Sequence, residues 1–171
     1  MSEKKKIVMI DDEPDLCLLV KGNLEETGEF NVVTHSDPLT AEALIQQEKP
    51  DLVLLDNVMK GKKGSEIAQA LKKKDETKEI AIIMVSGKGE MVYSRKRDQF
   101  QWLPNNPMAQ SRGEIVEGKD PQVLSTAYGV DDYVSKPFTT DLLIEVINDV
   151  LKKKQKQKEK ETEEENKPGI G

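Results

Sequence analysis

The stretch DLVLLD, residues 51–56, is the most apolar strand candidate in the chain and follows Pro50. A short run of this kind, bounded by polar residues, is typical of a strand that helices cover on both faces. Comparable runs lie before and after it in the sequence: residues 7–10 (IVMI), 30–34 (FNVVT), 80–85 (IAIIMV) and 131–135 (DDYVS). The sequence therefore predicts five buried strands.

Helical patterns fill the segments between these strands. Apolar residues recur at helical spacing after residues that start or cap helices, namely Pro14, Ser36 or Asp37 with Pro38, Gly64, and Thr139 or Thr140. A further short helix is predicted at residues 121–128. Strands that alternate with helices imply right-handed crossovers and a parallel sheet. We therefore expect an α/β fold: one doubly wound domain whose five-stranded parallel sheet has helices on both faces.

Composition excludes several classes of protein. The 171 residues include 26 Lys and Arg against 32 Asp and Glu, and the resulting charge of −6 argues against general nucleic-acid affinity. One cysteine and one histidine rule out an internal disulfide and make zinc sites and Ser/His triads unsuited to this chain. No apolar run approaches the ~18–20 residues that span a bilayer. We expect a cytoplasmic protein that binds neither DNA nor membranes.

Two segments depart from the strand–helix alternation. Residues 88–120 lack clear periodicity but hold Tyr93, Phe100 and Trp102, three of the seven aromatic residues. This segment is interpreted either as a packed insertion or as a disordered loop. Residues 154–171 are highly charged, and we expect a disordered tail there, with a partner-binding segment as the alternative. The sequence thus predicts a domain at residues 4–153, an insertion and a tail.

Polar side chains follow four of the predicted strands. Asp11 and Asp12 follow the first, Asp56 ends the third, and Ser86 and Lys136 follow the fourth and fifth. Because ligands of open parallel sheets bind beyond the carboxyl ends of the strands, we expect these groups to share one site. Three carboxylates repel one another, and oxygen ligands suit Mg²⁺. One carboxylate could then attack a phosphoryl group. Taken alone, Asp11 and Asp12 are more typical of a helix cap, and Lys136 with Pro137 and Phe138 is also typical of a turn.

The complete set of motifs resembles the receiver domain of response regulators in two-component signalling. The matching segments are IDDEP at 10–14, LLDNVM at 54–59 with Gly64 beyond it, MVS at 84–86 and GVDDYVSKPF at 129–138. The resemblance covers roughly residues 4–87 and 121–153. It implies the flavodoxin-like receiver fold with strand order 2-1-3-4-5, and it places the insertion after the fourth strand.

The resemblance also implies a role for each polar residue of the predicted site. Asp56 would be the phosphoacceptor. Mg²⁺ would be bound by Asp12, by Asp56 and by the backbone carbonyl of Val58, with Asp11 acting through water. Lys136 would pair with Asp56 or with its phosphoryl group, held by a cis bond to the proline that follows.

Two further residues would respond to the phosphoryl group. Ser86 would form a hydrogen bond to a phosphoryl oxygen, and Tyr133 would turn inward as Ser86 moves. At position 58 an apolar valine has no group that could orient an attacking water, which predicts slow self-dephosphorylation.

The function implied is that of a stand-alone phosphoacceptor rather than a dedicated enzyme. Its donor would be a histidine kinase or a histidine phosphotransfer protein, and its output an unknown downstream protein, with the chain a monomer or weak dimer. One alternative is a phosphate-independent binding module of the same fold, in which the insertion is the part that a partner protein recognises. A phosphatase with an aspartyl nucleophile is disfavoured, because such enzymes usually need an aspartate where Val58 stands.

Overall fold

Strands and helices alternate along the part of the chain that the computed structural model describes, which comprises residues 3–86, 91–94, 99–102, 116–117 and 129–167. The elements, numbered in chain order, are β1 (Lys5–Ile10), α1 (Pro14–Glu26), β2 (Phe30–His35), α2 (Ala41–Glu48), β3 (Leu52–Asp56), α3 (Gly64–Lys72), β4 (Ala81–Ser86), β5 (Met91–Ser94), β6 (Gln99–Trp102), β7 (Val116–Glu117), β8 (Asp132–Ser135) and α4 (Thr140–Glu165).

Five of the strands form one parallel sheet in the order β2-β1-β3-β4-β8. Because β8 is the fifth strand of this sheet along the chain, the predicted order 2-1-3-4-5 is confirmed. The register aligns Ile10 with Leu55, Asp56 with Val85, and Ser86 with Ser135. The carboxyl ends of the central strands therefore meet at one edge, where the predicted site residues lie.

Helices cover both faces of this sheet, as the uninterrupted apolar strands predict. Ile7 and Met9 point to the face covered by α1 and α4, whereas Val8 and Ile10 point to the face covered by α2 and α3. Alternating residues of one strand thus enter two separate apolar clusters. The sheet is packed between these two clusters, which fixes the position of the strand ends that carry the site residues.

The last helix is longer than the sequence predicts. Its buried residues end at Val150, close to the predicted domain boundary at 153, but the helix continues without a break to Glu165. Residues 154–165 are therefore helical here, in contrast to the expected disordered tail. Their Lys, Gln and Glu residues are good helix formers, and Gln155 Nε2 donates to Glu159 Oε1 one turn later at 3.1 Å.

The predicted insertion contains three short strands that sequence periodicity did not indicate. β5, β6 and β7 form an antiparallel sheet of their own, in that order. The helix predicted at residues 121–128 lies outside the described residues. Packing of the insertion on the domain stays a prediction, since β5 to β7 are described by their backbone pairing. Among the described helices, none combines the length and the apolar character needed to cross a bilayer.

Gly64 allows the chain to turn back on itself after β3. Its N–H donates to the carbonyl of Asn57 at 3.0 Å, and a Cβ at this position would lie 2.1 Å from the carbonyl oxygen of Asp56. Both neighbours are backbone, so neither can move aside. We expect Gly64→Ala to lower the free energy of unfolding by about 2–3 kcal/mol, as in other overpacked sites, when measured by urea denaturation.

Gly22 provides the matched control for this substitution. It lies in α1, and a Cβ there would have no heavy atom within 4 Å. We expect Gly22→Ala to raise stability by about 0.5–1 kcal/mol, because alanine loses less backbone entropy in a helix. Equal effects of the two substitutions would contradict the steric account of Gly64.

Candidate functional site

Three aspartates converge at the carboxyl edge of the sheet. Asp11 is fully buried, Asp56 is 4 % exposed, and Asp12 is exposed. One carboxylate oxygen from each lies within 4.8 Å of the others. The sequence prediction that these residues come together is thereby met in the structure. Their proximity follows from the shared ends of β1 and β3, which are neighbours in the sheet.

Backbone N–H groups fix the orientation of these carboxylates. Asp11 Oδ1 accepts the N–H of Glu13 at 3.0 Å, and Asp12 Oδ2 accepts the N–H of Lys60 at 3.2 Å. The Val58 N–H lies close enough to the Asp56 carboxylate to act against the rise of its pKa. The loop between β3 and α3 is therefore tied to the ends of both strands.

Lys136 supplies the positive charge of the site. It precedes Pro137 through a cis peptide bond, as the resemblance implied. Its Nζ lies 2.7 Å from Asp11 Oδ2 and 3.7 Å from Asp56 Oδ1. It also lies 3.3 Å from Glu13 Oε1. The sequence analysis missed this role of Glu13, although its position directly after the aspartate pair was a usable signal.

The electrostatic balance of the site is negative. Burial raises the pKa of Asp56 from its ordinary 3.8 to about 6, with a further contribution from the charge of Asp11, while Lys136 and the Val58 N–H act in the opposite direction. Burial acts to lower the pKa of Lys136, but its hydrogen bond to Asp11 and the nearby carboxylates outweigh this and raise it. The ammonium group of Lys136 thus faces two buried carboxylates, those of Asp11 and Asp56, and one exposed carboxylate, that of Glu13.

The donor set fits a hard divalent cation. Asp11, Asp12 and Asp56 offer oxygen ligands within reach of one another, and their uncompensated charge favours a cation. Mg²⁺ suits such a set because it takes one or two carboxylates and keeps several waters. The carbonyl of Val58 as a further ligand remains a prediction.

Ser86 and Tyr133 occupy neighbouring strands beside the aspartates. Ser86 is the last residue of β4, and its backbone pairs with Ser135, directly before Lys136. The role of its hydroxyl remains a prediction. Tyr133 is 8 % exposed and belongs to the apolar cluster that includes Met84 and Val130. Its turning inward as Ser86 moves stays a prediction.

Comparison with known proteins identifies the family. The model of the response regulator receiver domain matches residues 7–99, more than half of the chain. The chain belongs to the response regulator receiver family. Its insertion after β4 begins within the matched region and extends beyond it.

Relatives and solved structures agree with this assignment. The phosphate regulon transcriptional regulatory protein PhoB of Rhizobium meliloti is 31 % identical over 149 residues, which cover 86 % of this chain and 52 % of PhoB. The chain thus spans about half the length of the curated relatives it matches. A CheY-like receiver domain protein from Methanospirillum hungatei shares the fold, with a TM-score of 0.65, 22 % identity and coverage of 91 % and 99 % of the two chains.

A second solved structure is more similar in sequence. The receiver domain of NtrX from Brucella abortus is 27 % identical, with a TM-score of 0.59, and the match covers 85 % of this chain and 98 % of that one. Receiver domains are signalling modules rather than dedicated enzymes, are phosphorylated by histidine kinases and typically bind Mg²⁺ at an acidic pocket. The cluster of aspartates in this chain corresponds to such a pocket.

Proposed function

We propose that Asp56 of this receiver accepts a phosphoryl group, in the presence of Mg²⁺, from a histidine kinase or a histidine phosphotransfer protein in the cytoplasm. The phosphorylated chain then signals to a downstream protein by a change of conformation. The observation that carries this proposal is the placement of the Asp56 carboxylate, 3.7 Å from Lys136 Nζ and within 4.8 Å of the Asp11 and Asp12 oxygens.

The reaction needs an ionised carboxylate and a way to offset charge. An oxygen of Asp56 attacks phosphorus, the bond from phosphorus to the donor nitrogen breaks, and the donor imidazole leaves with the electron pair and takes up a proton. With a pKa of about 6, Asp56 is mostly ionised above neutral pH. Lys136 is positioned to offset charge on the transferred group, and bound Mg²⁺ would add to this neutralisation.

Asp11 and Glu13 act on the reaction through Lys136. Both contact its Nζ, at 2.7 and 3.3 Å, and hold the ammonium at the mouth of the site. Ser86 at the end of β4 is assigned the hydrogen bond to a phosphoryl oxygen. Tyr133 is assigned the change of side-chain position that follows the movement of Ser86. These assignments are part of the proposal.

Intact mass spectrometry tests the phosphoacceptor directly. After incubation with acetyl phosphate and Mg²⁺, we expect one phosphoryl adduct on the wild type and none on Asp56→Asn, because only the carboxylate can form the acyl phosphate. The matched control is Asp51→Asn at the other end of β3, where the carboxylate is 40 % exposed and pairs with Lys5. It should acquire the adduct normally. An unmodified wild type that still binds Mg²⁺ would contradict the proposal and favour a phosphate-independent binding module.

The lifetime of the phosphoryl group is a second prediction. Val58 is 60 % exposed and apolar, so its side chain cannot accept a hydrogen bond from an attacking water. We expect the phosphoryl adduct to survive for minutes or longer and Val58→Asn to shorten its lifetime several-fold, as followed by mass after removal of acetyl phosphate. Loss of the adduct from the wild type within seconds would refute this prediction.

A further inference from the structure

The part of α4 that continues past the buried face of the helix, residues 152–165, is here termed the helical extension, and it carries its charges in two blocks. Its first half, residues 152–158, has five lysines and no acidic residue, whereas its second half, residues 159–165, has five glutamates and one lysine. All of these residues are exposed except Lys154, which is partly buried and pairs with Asp131. The extension therefore presents a basic half and an acidic half to its surroundings.

This order of charges is unfavourable for a helix that stands alone. Residues four apart lie side by side on a helix, and Lys152 with Lys156 and Glu159 with Glu163 are then neighbours of like charge. The last turn holds glutamates and no basic residue, although the C-terminal end of a helix already carries partial negative charge. Helix propensity favours this segment, but its charges do not. Charges of opposite sign from another molecule would remove the conflict.

A basic cleft lies at the base of the extension, where α4 passes the amino edge of the main sheet. Lysines line it from both sides, namely Lys5, Lys49, Lys152, Lys154 and Lys158. In the part of the chain that the structure describes, Lys5 and Lys154 have ion-pair partners, whereas Lys49, Lys152 and Lys158 have none. The acidic residues of the lining are Asp51 and Glu79, so the cleft has a surplus of positive charge.

The acidic half of a second copy matches this cleft both in charge and in reach. A helix rises about 1.5 Å per residue, so the extension is about 21 Å long. When two extensions lie antiparallel, the acidic end of each reaches the base of the other, where the cleft lies. The basic half of each then runs along the acidic half of the other. A parallel arrangement would place like charges together along the whole length, so the charges favour the antiparallel pair.

We propose that the helical extension is a self-association surface, on which two copies of this chain pair antiparallel and each acidic end enters the basic cleft of the other copy. The arrangement is isologous, because the same residues of both copies form it. Exposed ion pairs contribute little individually and are screened by salt, so the dimer is weak and sensitive to ionic strength. Asp56 lies at the opposite, carboxyl edge of the sheet, so the pairing does not depend on its phosphorylation and the two proposals can fail separately.

Sedimentation velocity across a wide range of protein concentration measures this association without any substitution. We expect a monomer–dimer equilibrium whose dissociation constant rises at least about tenfold between about 50 mM and about 500 mM NaCl, because salt screens exposed charges. Asp56→Asn should associate as the wild type does. A phosphorylation-dependent dimer would instead be absent from the unphosphorylated protein and from this variant.

A basic variant, with Glu161→Lys, Glu163→Lys and Glu165→Lys together, separates specific pairing from general repulsion. Its three reversals change the net charge by six units, from −6 to zero. If only net charge governed association, this variant would associate more strongly than the wild type. We expect the opposite, a dissociation constant at least about tenfold higher, because both halves of the extension are now basic. Lysines near the C-terminus suit the helix dipole, so circular dichroism should show that the helix is kept.

An acidic variant, with Lys152→Glu, Lys156→Glu and Lys158→Glu together, completes the test. Alone it should be monomeric, whereas an equimolar mixture with the basic variant should form heterodimers. Three results would overturn the proposal: a wild type that stays monomeric at millimolar concentration and low salt, association that neither salt nor the basic variant weakens, and a mixture of the two variants that stays monomeric. The first would leave an acidic segment of another protein as the occupant of the cleft, and the second would place the dimer contact on another surface.

Discussion

Replacing Lys136 by Met is expected to lower the free energy of unfolding by about 3 kcal/mol at pH 7.5, because removal of one partner from a buried ion pair leaves uncompensated charge. Lys136 Nζ lies 2.7 Å from Asp11, whose side chain is fully buried, and 3.7 Å from Asp56, whose side chain is 5 % exposed. Neither carboxylate can turn to water when the ammonium is removed. The loss is measured by urea denaturation in EDTA.

Lys154→Met is the matched control for this prediction. Lys154 Nζ lies 3.3 Å from Asp131 Oδ1, and the two side chains are 19 % and 24 % exposed. Lys154 is therefore about as buried as Lys136, whereas Asp131 is more exposed than Asp11. Asp131 also keeps the N–H of Ile82 as a partner, at 2.8 Å. We expect the control to lose about 1 kcal/mol or less, in the range of exposed ion pairs.

A double substitution distinguishes charge from packing as the cause. Asp56→Asn removes one of the two carboxylates that Lys136 neutralises, so in its background Lys136→Met should cost clearly less than in the wild type. If the cost is unchanged, the loss arises from the missing contacts of the lysine stem rather than from its charge. Equal losses for Lys136→Met and Lys154→Met would contradict the electrostatic account altogether.

The main sheet could be predicted because its strands are short apolar runs and its site residues follow them. The stretch from Leu52 to Leu55 is buried on both faces. A strand of this kind is a continuous apolar run, so its prediction does not depend on an alternation of apolar and polar residues. Once the strands are placed, the position of Asp56 at the carboxyl edge follows from the topology alone. The convergence of Asp11, Asp12 and Asp56 needed no further information.

Other features depend on tertiary contacts that carry little sequence signal. The hydrogen bond from the Lys60 N–H to Asp12 involves a backbone group, which any residue except proline would offer at position 60. The strands β5 and β6 are four residues each, too short for alternation to stand out from a loop. The continuation of α4 past Lys154, which pairs with Asp131, rests on helix propensity and on contacts within the helix, since the described residues beyond it are exposed.

In metal-free buffer, Asp56→Asn is expected to stabilise the protein by about 3 kcal/mol at pH 7.5 and to leave its stability almost unchanged near pH 4. Burial, together with the charge of Asp11, raises the pKa of Asp56 from 3.8 to about 6 in the folded state. A group whose pKa is raised by folding contributes stability below its unfolded pKa and loses that contribution as the pH rises through the folded value. The wild type should therefore lose stability relative to the variant between about pH 4 and pH 6, since asparagine does not titrate.

Thermal or urea unfolding of both proteins across this pH range in EDTA measures the difference, and Asp51→Asn serves as the control. Its carboxylate is 40 % exposed, 3.7 Å from Lys5, so its removal should change stability by less than about 1 kcal/mol throughout the range. Added Mg²⁺ should stabilise the wild type more than Asp56→Asn, because the ion offsets the repulsion that the variant has already lost. A wild type that is more stable than Asp56→Asn in EDTA at pH 7.5 would show that Lys136 fully compensates the buried carboxylates, and the electrostatic argument for a cation at this site would then be lost.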